Sequence, residues 1–238
     1  MGLIIALLLT VICTSSAFAD EIQKETDLVL KCKRILESRF PHTEWDHIKA
    51  SPIPGICEAT TGTNVLYVYP AEKPLFIFGS LFTFTGENLT AERKSQLREE
   101  LLKKVFKGEV DAKPIRIGKG DPQYVEFVDP FCVHCRRAEK ELGDTPRLLF
   151  FYPLSERSEA VAAAVLCSRN PQSEWKKVVA GEYDEKVVTA PKGCVELVEE
   201  HKDLGRYLGV RGTPTLFDRQ GQSPSPTLIA SKNKKDRR

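Results

Sequence analysis

The stretch Tyr124-Val125-Glu126-Phe127-Val128, then Phe131-Cys132-Val133-His134-Cys135, then Arg136-Arg137-Ala138-Glu139-Lys140-Glu141-Leu142 constrains this chain most. Its first part is a β-branched and aromatic run that reads as a strand, and residues 133–142 read as a helix. A strand that delivers a Cys-x-x-Cys to a helix start is an arrangement for thiol–disulfide exchange. The helix N-terminus carries about half a positive charge and favours a thiolate, and the thiolate is the species that attacks disulfides. Cys132, nearer the helix start, is the expected exposed nucleophile. Cys135, a turn further in, is the expected resolving thiol that releases a mixed disulfide. Half of a zinc site is a weaker reading, because no second Cys-x-x-Cys supplies the remaining ligands. An inert structural disulfide is weaker too, since a two-residue gap closes little chain entropy.

Residues 1–19 read as a secretory signal peptide: Leu3 to Ile12 is almost wholly apolar, and Ala17-Phe18-Ala19 is a small-x-small cleavage site. The run is short for a bilayer span, which takes about 20 residues. Cys13 is expected to leave with the signal. An exported protein with no further apolar span follows, with expected localisation in the periplasm. Its net charge of +2, with both signs interspersed, argues against nucleic acid as a partner. The basic tail Lys232 to Arg238 reads as a solvated terminus. Six of the seven cysteines follow the cleavage site, and an even number in an exported chain favours disulfides. Position sorts them into Cys32 with Cys57, Cys132 with Cys135 and Cys167 with Cys194. The first and last pairs read as structural staples, with free buried thiols as the alternative for Cys32 and Cys57.

A helix is expected over 20–40. Val65–Tyr69 and Leu75–Phe78, punctuated by Pro70, Pro74, Gly79 and Gly86, read as strands. Residues 20–86 are thus a small helix-plus-sheet unit. Leu97, Leu101 and Val105 recur every four residues, so 89–106 reads as one helix, ended by Gly108 and linking two domains over 87–108. The second domain, 109–238, continues with strands at Tyr124–Val128 and Leu148–Tyr152. A mostly helical stretch over 157–180, broken near Asn170-Pro171, leads to a helix from Val195 to Leu208. A proline-led strand follows at Gly212–Phe217. This order is thioredoxin-like, with a helical insertion. The fold class is therefore α+β, and Thr227–Ala230 is the remaining candidate for a final strand.

Beside the cysteines, Thr213-Pro214 reads as the substrate-binding loop next to the exchange pair, because a proline without N–H leaves backbone groups free for an extended chain. His134 is a candidate modulator: a partly charged imidazole favours the Cys132 thiolate and raises oxidising power. Glu126, six residues before Cys132 on an apolar strand, is a candidate proton acceptor for Cys135, with a solvated strand-face carboxylate as the alternative. No cofactor and no metal are expected.

The strand with Phe131-Cys132-Val133-His134-Cys135, the Cys167 and Cys194 pair, and Leu204-Gly205-Arg206-Tyr207-Leu208-Gly209-Val210-Arg211-Gly212-Thr213-Pro214-Thr215 together resemble the bacterial periplasmic disulfide isomerases of the DsbC/DsbG type. The resemblance extends over nearly all the mature chain, with Gly79-Ser80-Leu81-Phe82 in the part similar to that family's dimerisation domain. It implies a V-shaped homodimer, a reduced working state kept by a membrane thiol reductase of the DsbD type, and misfolded or misoxidised exported proteins as substrates. Val133-His134 and Glu126 are more similar to the oxidase DsbA. A dithiol oxidase and a chaperone-like dimeric binder of unfolded chains therefore stand as alternatives to the isomerase.

Overall fold

A computed structural model describes the backbone of residues 2–236 and the side chains of residues 19–231. The side chains of the expected signal segment, Cys13 among them, and those of the basic tail lie outside this range, apart from Ala19. Among the described residues no helix is long and apolar enough to cross a membrane. The chain divides into two compact units, residues 1–90 and 91–238.

In the first unit, α1 (Gly2–Arg39) precedes an antiparallel sheet of β1 (His47–Ala50), β2 (Cys57–Thr61), β3 (Asn64–Tyr69) and β4 (Leu75–Ile77), in that spatial order. Leu28, Cys32 and Leu36, one turn apart, form the inward stripe of α1 and meet Cys57, Ala59, Leu66 and Val68 of the sheet. The Cys32–Cys57 disulfide ties helix to sheet inside this core. Gly62, at φ +55°, turns the chain between β2 and β3, and its N–H donates to Asp46 Oδ2 at 2.6 Å.

The second unit holds a sheet in the order β5 (Ile115–Ile117), β7 (Arg147–Phe151), β6 (Tyr124–Val128) and β8 (Thr215–Asp218). Central β6 and β7 run parallel, joined by α3 (Val133–Leu142), while the outer strands pair antiparallel. Side chains alternate across these strands. Val125, Phe127, Leu148 and Phe150 face α2 (Leu89–Lys107) and α6 (Val195–Leu208), whose Leu102, Val105, Leu204 and Leu208 complete that half of the core. Thus α2, the helix read as a link, buries its apolar face within the second unit. Val128, Leu149 and Phe151 pack on the other face with α4 (Glu156–Leu166) and α5 (Pro171–Val179), through Val161, Trp175 and Val178. A Cβ on Gly205 of α6 would lie 2.6 Å from a Tyr152 ring carbon, so only glycine lets the helix come so close to β7.

Caps mark the ends of the insertion helices. Ser155 Oγ accepts from Ser158 N at 3.1 Å, and Asn170 Oδ1 accepts from Ser173 N at 3.0 Å with Pro171 in the first turn. The Cys167–Cys194 disulfide joins the end of α4 to the start of α6.

The C-terminus departs from expectation. Residues 227–230 are not a strand but part of α7 (Pro226–Asp236). Ser225 Oγ accepts from Leu228 N at 3.3 Å and Pro226 opens the helix, so Ser225-Pro226 is a helix start. Ile229 is buried against Ala138, Leu142 and Leu216, and Thr227 Oγ1 donates to Glu141 Oε2 at 2.8 Å. This short helix covers α3, the role expected of a helix that the sequence pattern did not reveal.

Candidate active site

The turn before α3 is built by Asp129. Its buried carboxylate accepts from Phe131 N and Leu154 N, both at 2.7 Å, and its carbonyl accepts from Cys132 N at 3.2 Å. These bonds present Cys132 as the N-cap of α3, where its Sγ accepts from Cys135 N at 3.2 Å. Cys132 is half-buried and Cys135 buried, and both are free thiols. Burial pushes the Cys135 thiol well up, and the neighbouring Cys132 sulfur adds to it. The two cysteines are thus unequal: an accessible sulfur at a helix start lies beside a buried thiol that resists ionisation.

The loop before β8 closes the site. The Cys132 thiol donates to the Thr213 carbonyl at 3.3 Å, across 81 residues of sequence, and the Thr213–Pro214 peptide is cis. His134 lies exposed on the first turn of α3. Val133 and Leu154 expose 76% and 62% of their surface on the segments that bear the cysteine pair and the Asp129 contact.

Glu126 is not solvated: it is fully buried, with Oε2 accepting from Arg147 Nε at 2.6 Å. Arg147 also donates to Glu139 Oε2 at 2.6 Å and to the carbonyls of Gly143 and Thr145, at 2.8 and 3.0 Å. Trp175 Nε1 donates to the same Glu139 oxygen at 3.1 Å. One guanidinium therefore serves two carboxylates beneath α3. Burial raises the Glu126 carboxyl to about 7, Arg147 pulls it down and Glu139 pushes it up. Its other oxygen, Oε1, is buried with no hydrogen-bond partner among the described residues. Glu126 lies on the β6 face between Tyr124, which packs with Ala138 and Leu142, and Val128, which packs with Cys135. It can hold one proton in the layer that carries Cys135.

Asp129, Glu139 and Arg147 were not among the residues the sequence singled out. Asp-Pro just before the cysteine motif is a turn signal that could have found Asp129. Glu139 and Arg147 read as ordinary helix-surface and strand-end charges until the sheet brings them together. Among the described residues no three His, Cys, Asp or Glu side chains gather as a metal site.

Residues 15–91 match the family model described as the disulfide bond isomerase protein N-terminal domain. A probable thiol:disulfide interchange protein DsbC of Bordetella avium (strain 197N) is 29% identical over 209 residues, covering 83% of this chain and 70% of that protein. The thiol:disulfide interchange protein DsbC of Haemophilus influenzae is 28% identical over 184 residues, covering 74% and 76%. That of Escherichia coli (strain K12) is 24% identical over 184 residues, covering 71% of each.

Proposed function

We propose that this chain, a thiol:disulfide interchange protein of the DsbC/DsbG family, works mainly as a disulfide isomerase and reductase on exported proteins. The observation that carries the chemistry is the half-buried Cys132 sulfur at the start of α3, beside buried Cys135 and the Thr213–Pro214 loop. The direction is supported by the N-terminal unit, whose match is to an isomerase domain.

Exchange proceeds in two steps. The Cys132 thiolate attacks one sulfur of a substrate disulfide, which forms a Cys132–substrate bond and releases the other sulfur as a thiolate. In isomerisation that thiolate attacks a second substrate disulfide. The sulfur displaced there then attacks the mixed disulfide, freeing Cys132 with no net oxidation. In reduction, Cys135 gives up its proton and attacks Cys132 Sγ, which leaves a Cys132–Cys135 disulfide and a second substrate thiol. Glu126 is the proposed acceptor of that proton, acting in the buried layer under α3. A membrane dithiol reductase of the DsbD type, outside the cytoplasm, then restores both thiols. Thr213 and Pro214 hold the substrate backbone beside Cys132, and His134 tunes the thiolate from the solvent side.

A homodimer through the first unit completes the proposal. β4 is an edge strand, and Leu75, Phe78, Phe82 and Phe84 around it expose 57%, 76%, 63% and 107% of their surface. An apolar edge of this kind invites pairing with a second copy. The test is sedimentation of the mature protein together with reactivation of a scrambled multi-disulfide protein, for the full chain and for a form lacking residues 20–86. A dimer that reactivates and a monomer that only exchanges thiols are expected. A monomeric full chain, or equal reactivation by both forms, contradicts the proposal.

A further inference from the structure

Cations lie beside the cysteine motif. Arg136 and Arg137 come directly after Cys135, and Arg157 of α4 stacks on Phe131 with its Cζ 4.2 Å from the ring centroid. Arg137 pairs with Glu141 on its own helix at 3.3 Å. Arg136 instead reaches out of α3 to the segment after α5. Its Nη1 donates to Asp184 Oδ2 at 2.8 Å and its Nη2 to Asp184 Oδ1, while Nη2 also lies 3.5 Å from the Pro130 carbonyl. Arg157 donates to the backbone carbonyl of Asp184, so both guanidiniums converge on this residue.

The local backbone is shaped for this carboxylate. Gly181 takes φ +87°, and a Cβ there would lie 2.9 Å from Asp184 Oδ2. Tyr183, just before Asp184, is buried in the same core cluster as Cys135, and Cys132 and Phe131 pack against that cluster. Asp184 is thus fixed from both sides, within the span closed by the Cys167–Cys194 disulfide. Its carboxyl is held below the usual aspartate range by the Arg136 hydrogen bond and the charges of Arg136 and Arg157, so it is an anion at neutral pH.

We propose that Asp184 is a positioning residue for the exchange pair: by holding the Arg136 guanidinium it offsets a permanent cation beside Pro130–Cys132 and keeps the pair less oxidising. A cation near Cys132 stabilises its thiolate, and with it the reduced form, which makes a dithiol a stronger oxidant. The helix start and His134 already push that way, as does Arg136 in the sequence. Asp184 opposes them, and so shifts the pair toward isomerisation and reduction. This rests on Cys132 and Cys135 being the exchange pair.

The test equilibrates the full-length mature parent, Asp184→Asn and Arg136→Gln/Asp184→Asn with glutathione. Both charged side chains reach solvent, so their field is partly screened and the expected change is roughly threefold. Asp184→Asn should therefore favour the reduced form roughly threefold more than the parent, about 14 mV more oxidising. The double variant, which removes both charges, should return close to the parent. Added salt should shrink the difference. A merely structural role for Asp184 would move the melting temperature and leave the potential alone. An Asp184→Asn potential equal to the parent's, or a double variant as shifted as the single one, overturns the inference. If the parent itself does not exchange with glutathione through Cys132 and Cys135, the proposed function fails with it.

Discussion

Replacing Glu126 with Gln keeps the shape of a fully buried side chain and removes its titration. Burial raises this carboxyl from 4.5 to about 7 in the folded protein, despite the Arg147 guanidinium 2.6 Å away. The folded state therefore keeps a proton that the unfolded chain has already released. For a carboxyl raised in this way, stability is greatest below the unfolded value and falls as pH rises through the folded one. At about 1.4 kcal/mol for each pH unit, the interval from 4.5 to about 7 corresponds to a loss of up to about 3 kcal/mol by about pH 8. Glu126→Gln should lack this fall. Its stability relative to the parent should improve by that order between about pH 4 and pH 8, even if it starts lower from the lost ion pair. Urea unfolding across this range reads the difference directly, in a Cys132→Ala/Cys135→Ala background that removes thiol titration. Parallel stability profiles for parent and variant would show that the folded carboxyl of Glu126 titrates as in the unfolded chain, and would remove it as a proton acceptor for Cys135.

Cys132→Ala should abolish exchange, whereas Cys135→Ala should accumulate mixed disulfides with substrates, because the reductive release by the buried thiol is lost; non-reducing electrophoresis separates the two outcomes, and trapping by Cys132→Ala would reverse the roles. His201 is the acid-sensitive counterpart of Glu126: its Nδ1 accepts from Phe151 N at 3.0 Å, its Nε2 lies 2.8 Å from the Lys113 carbonyl, and burial lowers it from 6.5 to about 4. The unfolded chain gains this proton first as pH falls, so stability should drop by up to about 3 kcal/mol between about pH 6.5 and pH 4; His201→Gln should flatten that limb in the same urea experiment, and an unchanged acid limb would refute the assignment.

The parts of the fold that were legible in the sequence are those where local pattern and tertiary role agree. Tyr124–Val128 reads as a strand because it is buried on both faces, and Leu97, Leu101 and Val105 read as a helix because their spacing marks one inward side. β2 was not singled out because Cys57–Thr61 is mostly polar. Its Glu58 is nonetheless 4% exposed and lies opposite Lys49 of β1, 3.5 Å from its ammonium, so an ion pair replaces the missing apolar alternation. β5, three residues long, is too short for any period to register. In α7 only Ile229 of the opening residues is deeply buried, so the cap at Ser225-Pro226 carried the signal and the periodicity did not. The site followed the same division. Cys132 and Cys135 form a motif within four residues, but Glu126, Arg147 and Glu139 form a unit only once β6, β7 and α3 are stacked. Asp184 meets Arg136 across 48 residues, a pairing with no local trace.

The proposed function requires Cys132 and Cys135 to work as a reduced pair while the other four cysteines of the mature chain stay bonded. Acid quenching of intact cells, alkylation of free thiols with a mass tag and measurement of the intact protein test this most directly. Most molecules should carry two tags, placed on Cys132 and Cys135, with Cys32–Cys57 and Cys167–Cys194 unlabelled. A population carrying no tags, its Cys132–Cys135 disulfide formed at steady state, would contradict it and identify the chain as a dithiol oxidase.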